Sequence, residues 1–268
     1  LLRPVCLGDR AVDSWNGIKE FVTGTVADGA PIIPISAHHD VNLDVLIQAI
    51  EETIPTPDHG KEAQALMYVA RSFDVNRPGT RPAKLQGGII GGSVVKGKFT
   101  VGDSILIAPG RRITAGNKTR WEPIETTIES VQGGGLSLES IHAGGLCGIA
   151  TPMDPVVTKA DDLSGQVMAR IGELPPIWEE FNLDLDLLEN MVTSGEDNPE
   201  QVRPLQPNEM LMVNSATATS VGQVSAIKAK KATLRLRLPI CAPAGSRITL
   251  SRRVGTRWRL IGHGTITG

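Results

Sequence analysis

Apolar residues recur at two different periods along this chain, and the change of period divides it. Up to about residue 57 the spacing is that of α/β material. Residues 14–24, SWNGIKEFVTG, predict a short amphipathic helix ending at glycine. Ala30-Pro31-Ile32-Ile33-Pro34-Ile35 predicts a short buried strand, and a loop follows over residues 36–40. Asn42 is then placed to cap a helix over residues 43–53, with Leu43, Leu46, Ile47 and Ile50 on one face. Ile54-Pro55-Thr56-Pro57 stops it and reads as a linker.

Beyond residue 57 the pattern shortens to alternation. Residues 65–73, two or three segments within 87–107, and stretches near 126–131 and 145–151 predict strands, punctuated by turns such as Lys96-Gly97 and Gly102-Asp103. Glycines inside these strands suit the bends of a small closed barrel. Pro175-Pro176 marks a boundary, after which FNLDLDLL at 181–188 alternates with a period of two. Further strands are predicted near 210–213, 222–227, 232–238 and 247–250, with a polar loop at 194–198. The expected architecture is mainly β: residues 1–57 α/β, 58–171 a first β-barrel and 172–268 a second.

Composition narrows the function classes. Of 268 residues, 40% are hydrophobic and 21% charged, as in globular domains, and only 3% are aromatic, so Val, Ile and Leu must build the core. No apolar run approaches the roughly 20 residues of a bilayer-crossing helix, and the apolar stretch within residues 1–6 is too short for a signal peptide. Cys6, Cys147 and Cys241 are far apart and odd in number, which argues against a disulfide framework and fits a reducing cytoplasm. Charge is unevenly spread. Residues 210–268 contain no Asp or Glu but carry ten Lys and Arg, which leaves −12 on residues 1–209. Such a basic β segment suits a polyphosphate partner; the alternative is a solvated face balanced by the acidic remainder.

Candidate chemistry is sparse. Ser36-Ala37 lies between a predicted strand and helix, where open α/β sheets bind ligands. His38-His39-Asp40 has metal-ligand chemistry, but adjacent loop side chains rarely converge on one ion, and the sequence predicts no metal site there. His59, His142 and His263 have no catalytic neighbour in sequence. The glycine pairs at 87–88, 91–92 and 144–145 are not phosphate loops, because Gly-x-x-x-x-Gly-Lys-Ser/Thr is absent. Ser251 to Gly264, SRRVGTRWRLIGHG, combines arginines suited to phosphate with Trp258, which strand alternation allows to plug the barrel while Arg257 and Arg259 face outward. No catalytic residue is predicted.

Several long motifs resemble one family. Arg71-Ser72-Phe73-Asp74-Val75-Asn76-Arg77-Pro78-Gly79, Leu85-Gln86-Gly87-Gly88, Thr151-Pro152-Met153-Asp154-Pro155, Thr158-Lys159-Ala160-Asp161, Pro239-Ile240-Cys241-Ala242 and the closing phrase from Ser251 are similar to the gamma subunit of archaeal and eukaryotic translation initiation factor two, the archaeal form more so. The resemblance extends from about residue 14 to the end. It implies two barrels of the translation-factor type behind the C-terminal remnant of a P-loop GTP-binding domain. It further implies a cytoplasmic protein that binds GTP or GDP with magnesium and delivers initiator methionyl-tRNA to the small ribosomal subunit. The alpha subunit would dock on the first barrel and the beta subunit on the GTP-binding domain. By the same resemblance Ser36 and Ala37 touch guanine; within that reading Arg71, suited to phosphate, and Gly91, Gly92, Gly144 and Gly145, suited to close backbone approach, are candidates for the aminoacyl end of tRNA, and Arg252, Arg253, Arg257 and Arg259 are candidates for RNA backbone contacts. The family's phosphate loop is expected ahead of residue 1, so these residues alone should not hydrolyse GTP. The family's Asn-Lys-x-Asp motif and cysteine-rich knuckle are not matched, and the tail is more basic than the family implies. Rival readings are a selenocysteine-specific elongation factor, a scaffold whose barrels bind only proteins, and a metal hydrolase built on His38, His39 and Asp40.

Overall fold

The computed structural model describes residues 9–55, 63–116, 118–191 and 201–268. Cys6, His59 and the polar loop at 194–198 lie outside the described residues. The chain divides into two compact units, Leu1–Asp58 and His59–Gly268.

In the first unit, helix α1 (Asp9–Val22) ends where Gly24 turns the chain with φ +75°. Helix α2 (Leu43–Thr53) follows the predicted span. Its cap differs from expectation. Asn42 has left-handed backbone (φ 58°) and caps no amide; its Nδ2 donates instead to the Pro34 carbonyl at 2.8 Å. The strand expected over residues 30–35 does not form, and only an isolated bridge joins Ser36 to Val41. A strand exists through its neighbours, and the described residues of this unit supply none.

The second unit begins with a large antiparallel sheet. Its strands are β1 (Leu66–Phe73), β2 (Ile89–Lys96), β3 (Lys98–Thr100), β4 (Ser104–Ala115), β5 (Lys118–Thr127), β6 (Ser130–Gly133), β7 (Leu136–Leu138), β8 (Ser140–His142), β9 (Leu146–Ala150) and β10 (Val167–Arg170). Eight of them run in the order β5-β4-β10-β1-β2-β9-β6-β7, and β3 pairs with β8 as a ribbon. Among the described residues, end strands β5 and β7 do not pair with one another, whereas the sequence reading expected closure. Sheet and ribbon still share one core, in which Met67, Ile90, Phe99, Ile105 and Ile149 are fully buried.

The chain then forms a closed barrel from β11 (Ile177–Leu187), β12 (Met210–Ser215), β13 (Ala218–Lys228), β14 (Lys231–Cys241), β15 (Arg247–Val254) and β16 (Arg257–Ile266). Strand β11 closes it by pairing with β14 on one side and β16 on the other. The alternation of FNLDLDLL is realised: Phe181 and Leu183 enter the core with Leu211, Val213, Leu234 and Leu250. Each such side chain contributes about 1.5–3 kcal/mol when fully buried. At Gly262 a Cβ would lie 2.5 Å from the Asp186 carbonyl, so glycine is required where β16 meets β11. A third cluster, with Leu66, Val167 and Ala169 from the sheet and Cys241 from β14, packs sheet against barrel. Among the described residues, no helix is long and apolar enough to cross a membrane.

Candidate functional site

The expected nucleotide-facing pair lies in a tight loop. Ser36 and Val41 exchange backbone hydrogen bonds of 3.1 Å, and the His39 amide donates to the Ser36 carbonyl. Asp40 at φ 51° and Asn42 at φ 58° turn the chain between them. The Ala37 and His38 amides find no acceptor among the described residues, as at the start of any helical turn. The loop thus offers donors suited to a carbonyl oxygen on the edge of a base. It carries no cation and no glycine-rich cradle for phosphates.

Arg71 stands on β1 of the sheet. Its Nε donates to both carboxylate oxygens of Asp161, at 2.8 and 3.1 Å, and Asp161 also accepts the Ser72 amide at 3.0 Å. The hydrogen bond from Arg71, then that from Ser72, hold the Asp161 carboxyl below the usual carboxylate range; the same bond to Asp161 raises Arg71. The Arg71 side chain remains 69% exposed. In register across the sheet, Arg71 faces Gly91, Gly91 faces Gly148, and Gly148 faces Gln132. A Cβ at Gly91 would meet nothing closer than 3.7 Å, and one at Gly148 nothing within 4 Å. Arg71 and Gln132 therefore flank a strip of bare backbone two residues wide.

The other expected glycines have different reasons. Gly92 is buried, and a Cβ there would lie 2.0 Å from the Tyr68 carbonyl, so its missing side chain serves strand packing and not ligand approach. Gly144, at φ 114°, donates to the Val94 carbonyl in the turn before β9, and the Gly145 carbonyl accepts from the Ser93 hydroxyl at 3.3 Å. The structure brings Arg71 and Gly91 together and places Gly144 and Gly145 toward the other end of β2. Sequence reasoning missed Gly148 and Asp161. Gly148 was signalled by its place in the alternating stretch LCGIA, and Asp161 stood in the Thr158-Lys159-Ala160-Asp161 motif without a role.

The basic tail is partly neutralised. Glu180 and Asp184 on β11 stand directly opposite Arg235 and Lys231 on β14, with ion pairs of 3.3 and 3.5 Å. These exposed pairs are worth about 0–1 kcal/mol each. Arg252 requires a correction. It is buried, pairs with Glu209, and donates to the carbonyls of Arg203 at 2.9 Å and Pro204 at 3.3 Å, so it is not available to RNA. Alternation from Ile248 through Leu250 already put it on the core face. Arg253 and Arg257 are exposed beside the β15–β16 turn, and Arg259 is half-buried. Trp258 does not plug the barrel: it is 37% exposed on a hairpin that outruns the core. Seven of the tail's ten cations have no carboxylate partner among the described residues.

No group of metal-ligating side chains is present among the described residues. Two grooves, of about 410 and 460 Å³, share Trp121 and Pro239 along the sheet and barrel, and none of the expected site residues lines them.

A family model described as "Initiation factor eIF2 gamma, C terminal" matches residues 179–266. Translation initiation factor 2 subunit gamma of Methanocaldococcus jannaschii is 49% identical over 259 residues, covering 97% of this chain and 62% of that protein. Its counterpart in Methanococcus aeolicus is 50% identical over 258 residues, 96% of this chain and 62% of that protein. The chain thus spans about three fifths of the length of these curated relatives. Among solved structures, a bacterial selenocysteine-specific elongation factor, EF-Sec, superposes with a TM-score of 0.70 at 14% identity, covering 97% of this chain and 38% of that one. Elongation factor SelB from Methanococcus maripaludis, in complex with the GTP analogue GPPNHP, gives 0.69 at 18% identity, with 98% and 56% covered. At such identities these two likenesses concern the fold.

Proposed function

The chain belongs to the gamma-subunit family of translation initiation factor two, and from that premise we propose that it works in translation initiation, as part of the core subunit that binds initiator methionyl-tRNA and delivers it to the small ribosomal subunit. The observation that carries this reading is the 49% identity with a gamma subunit across 97% of the chain. In the proposed division, residues 1–57 are the C-terminal part of a GTP-binding domain, and residues 58–171 and 172–268 are the two barrels. The beta subunit docks on the GTP-binding domain and the alpha subunit on the first barrel.

In that assignment the free amides of Ala37 and His38 receive a guanine carbonyl oxygen. GTP with magnesium, held mainly by a phosphate loop that this sequence lacks, supplies the switch between tRNA-holding and tRNA-releasing states. Arg71 meets a phosphate near the aminoacyl end, while Gly91 lets that end approach the backbone. Arg253, Arg257 and Arg259 meet RNA backbone, and charge and position do the work without covalent chemistry.

The test is the affinity of the natural full-length protein for initiator methionyl-tRNA, measured with a non-hydrolysable GTP analogue and with GDP over a range of salt. Tighter binding with the analogue, and a preference over elongator methionyl-tRNA, are expected. Preference for selenocysteyl-tRNA would favour the elongation-factor reading, and absence of salt-dependent RNA affinity would leave the protein-binding scaffold.

A further inference from the structure

We propose that Asp161 is a positioning residue that aims Arg71 at a terminal phosphodiester of the bound tRNA, over the bare strip formed by Gly91 and Gly148. This rests on the reading of Arg71 as a phosphate contact, and it adds a device to that reading. Arginine normally meets a carboxylate with two nitrogens side by side. Here both contacts from the Asp161 carboxylate fall on Nε alone. The two terminal nitrogens have no acceptor among the described residues, although the side chain lies beside Gly91. The guanidinium is thereby fixed in orientation with its outer fork left vacant.

The backbone around Asp161 is built to hold that geometry. Ala160 and Asp161 are consecutive non-glycine residues at φ 56° and 63°; aspartate tolerates this left-handed backbone, whereas alanine adopts it where its surroundings impose it. The surroundings are the edge of β1. The Leu163 amide donates to the Ser72 hydroxyl, the Ser164 hydroxyl to the Ala70 carbonyl, and the Gly165 amide to the Val69 carbonyl, at 3.0, 2.9 and 2.9 Å. The loop bearing Asp161 and the strand bearing Arg71 are thus stitched together, and the carboxylate cannot drift from the guanidinium. On the open side, Gly91 and Gly148 leave the backbone uncovered, so a flat or extended ligand can lie against it with an anionic oxygen at the fork.

A loop that merely needed stapling to β1 has its three other bonds for that purpose. The experiment therefore separates aiming from stapling. Asp161→Asn keeps a residue tolerant of left-handed backbone and an oxygen for the Ser72 amide, but removes the charge that holds Nε. In the natural full-length protein with a non-hydrolysable GTP analogue, Asp161→Asn is expected to weaken initiator methionyl-tRNA about tenfold. It should leave unchanged the affinity for the same tRNA lacking its 3′-terminal nucleotide. The double variant Arg71→Ala/Asp161→Asn should bind no more weakly than Arg71→Ala. Ser164→Ala, which loosens the loop without touching Arg71, should bind both tRNAs as the unaltered protein does. Equal losses on intact and truncated tRNA, or losses that add to those of Arg71→Ala, would overturn the positioning role. So would full affinity in Asp161→Asn alongside a defect in Arg71→Ala. An Arg71→Ala protein that binds normally would instead sink the phosphate reading of Arg71 itself.

Discussion

Arg252 is expected to behave as a structural residue although it sits among the arginines of the most basic part of the chain. Its side chain is 4% exposed and that of Glu209 is 11% exposed. Besides two bonds to this carboxylate it holds two carbonyls of the segment leading into β12. Arg252→Ala leaves Glu209 as an uncompensated, nearly buried charge, and removing one member of such a pair costs about 3–5 kcal/mol. The carbonyls of Arg203 and Pro204 belong to exposed residues, which water can reach, so the lower half of that range is the better expectation. Glu209→Ala should cost a similar amount, and the double variant should cost clearly less than the two together. Urea unfolding followed by circular dichroism reads these differences as midpoint shifts at constant slope. By contrast, Arg253→Ala and Arg257→Ala, on exposed positions of the hairpin, should each stay within about 0.5 kcal/mol. If Arg252→Ala unfolds within 0.5 kcal/mol of the unaltered protein, the pair is not structural and the reasoning from burial is wrong.

Replacing Arg253, Arg257 and Arg259 together with Ala should lower the slope of log affinity against log salt for tRNA or ribosomal RNA by about two to three, and an unchanged slope removes them from the RNA interface. Gly92→Ala should destabilise by about 1–3 kcal/mol in a melt, because its Cβ would press on the Tyr68 carbonyl, whereas Gly91→Ala should fold normally and weaken only tRNA. Burial pushes the Cys147 thiol to about 11 and Cys241 to about 12. Native protein should therefore resist alkylation at both positions at pH 8, with labelling appearing in urea when the peptides are mapped by mass spectrometry. Above about pH 9 the unfolded chain releases these protons and the native state does not, so stability should fall as pH rises from there toward 11.

Strands were legible where one face is buried and the other wet. Phe181 and Leu183 alternate with Asn182 and Asp184, and β11 follows them. Helix α2 was legible for the same reason at another period. Residues 30–35 misled because an apolar run states a preference for burial but not the presence of a partner strand. Trp258 misled because alternation assigns a face only as far as the core extends, and the β15–β16 hairpin passes that limit. The inward position of Arg252 was available from Ile248 and Leu250 and was hidden by its charge. The Arg71–Asp161 pair was out of reach of spacing arguments. It joins positions far apart in sequence, and the left-handed turn at Ala160 and Asp161 leaves no glycine to announce it.

Closure of the barrel through β11 has a consequence for synthesis. This strand is the first of its barrel to leave the ribosome, yet Leu183 must wait for Ile266, about 80 residues later, before that side of its ladder is satisfied. Until then the nascent chain presents an open strand edge with Phe181 and Leu183 behind it. The acidic side chains of Glu180, Asp184 and Asp186, which later face Arg235, Lys231 and His263, give that waiting edge a like charge that repels other copies of itself.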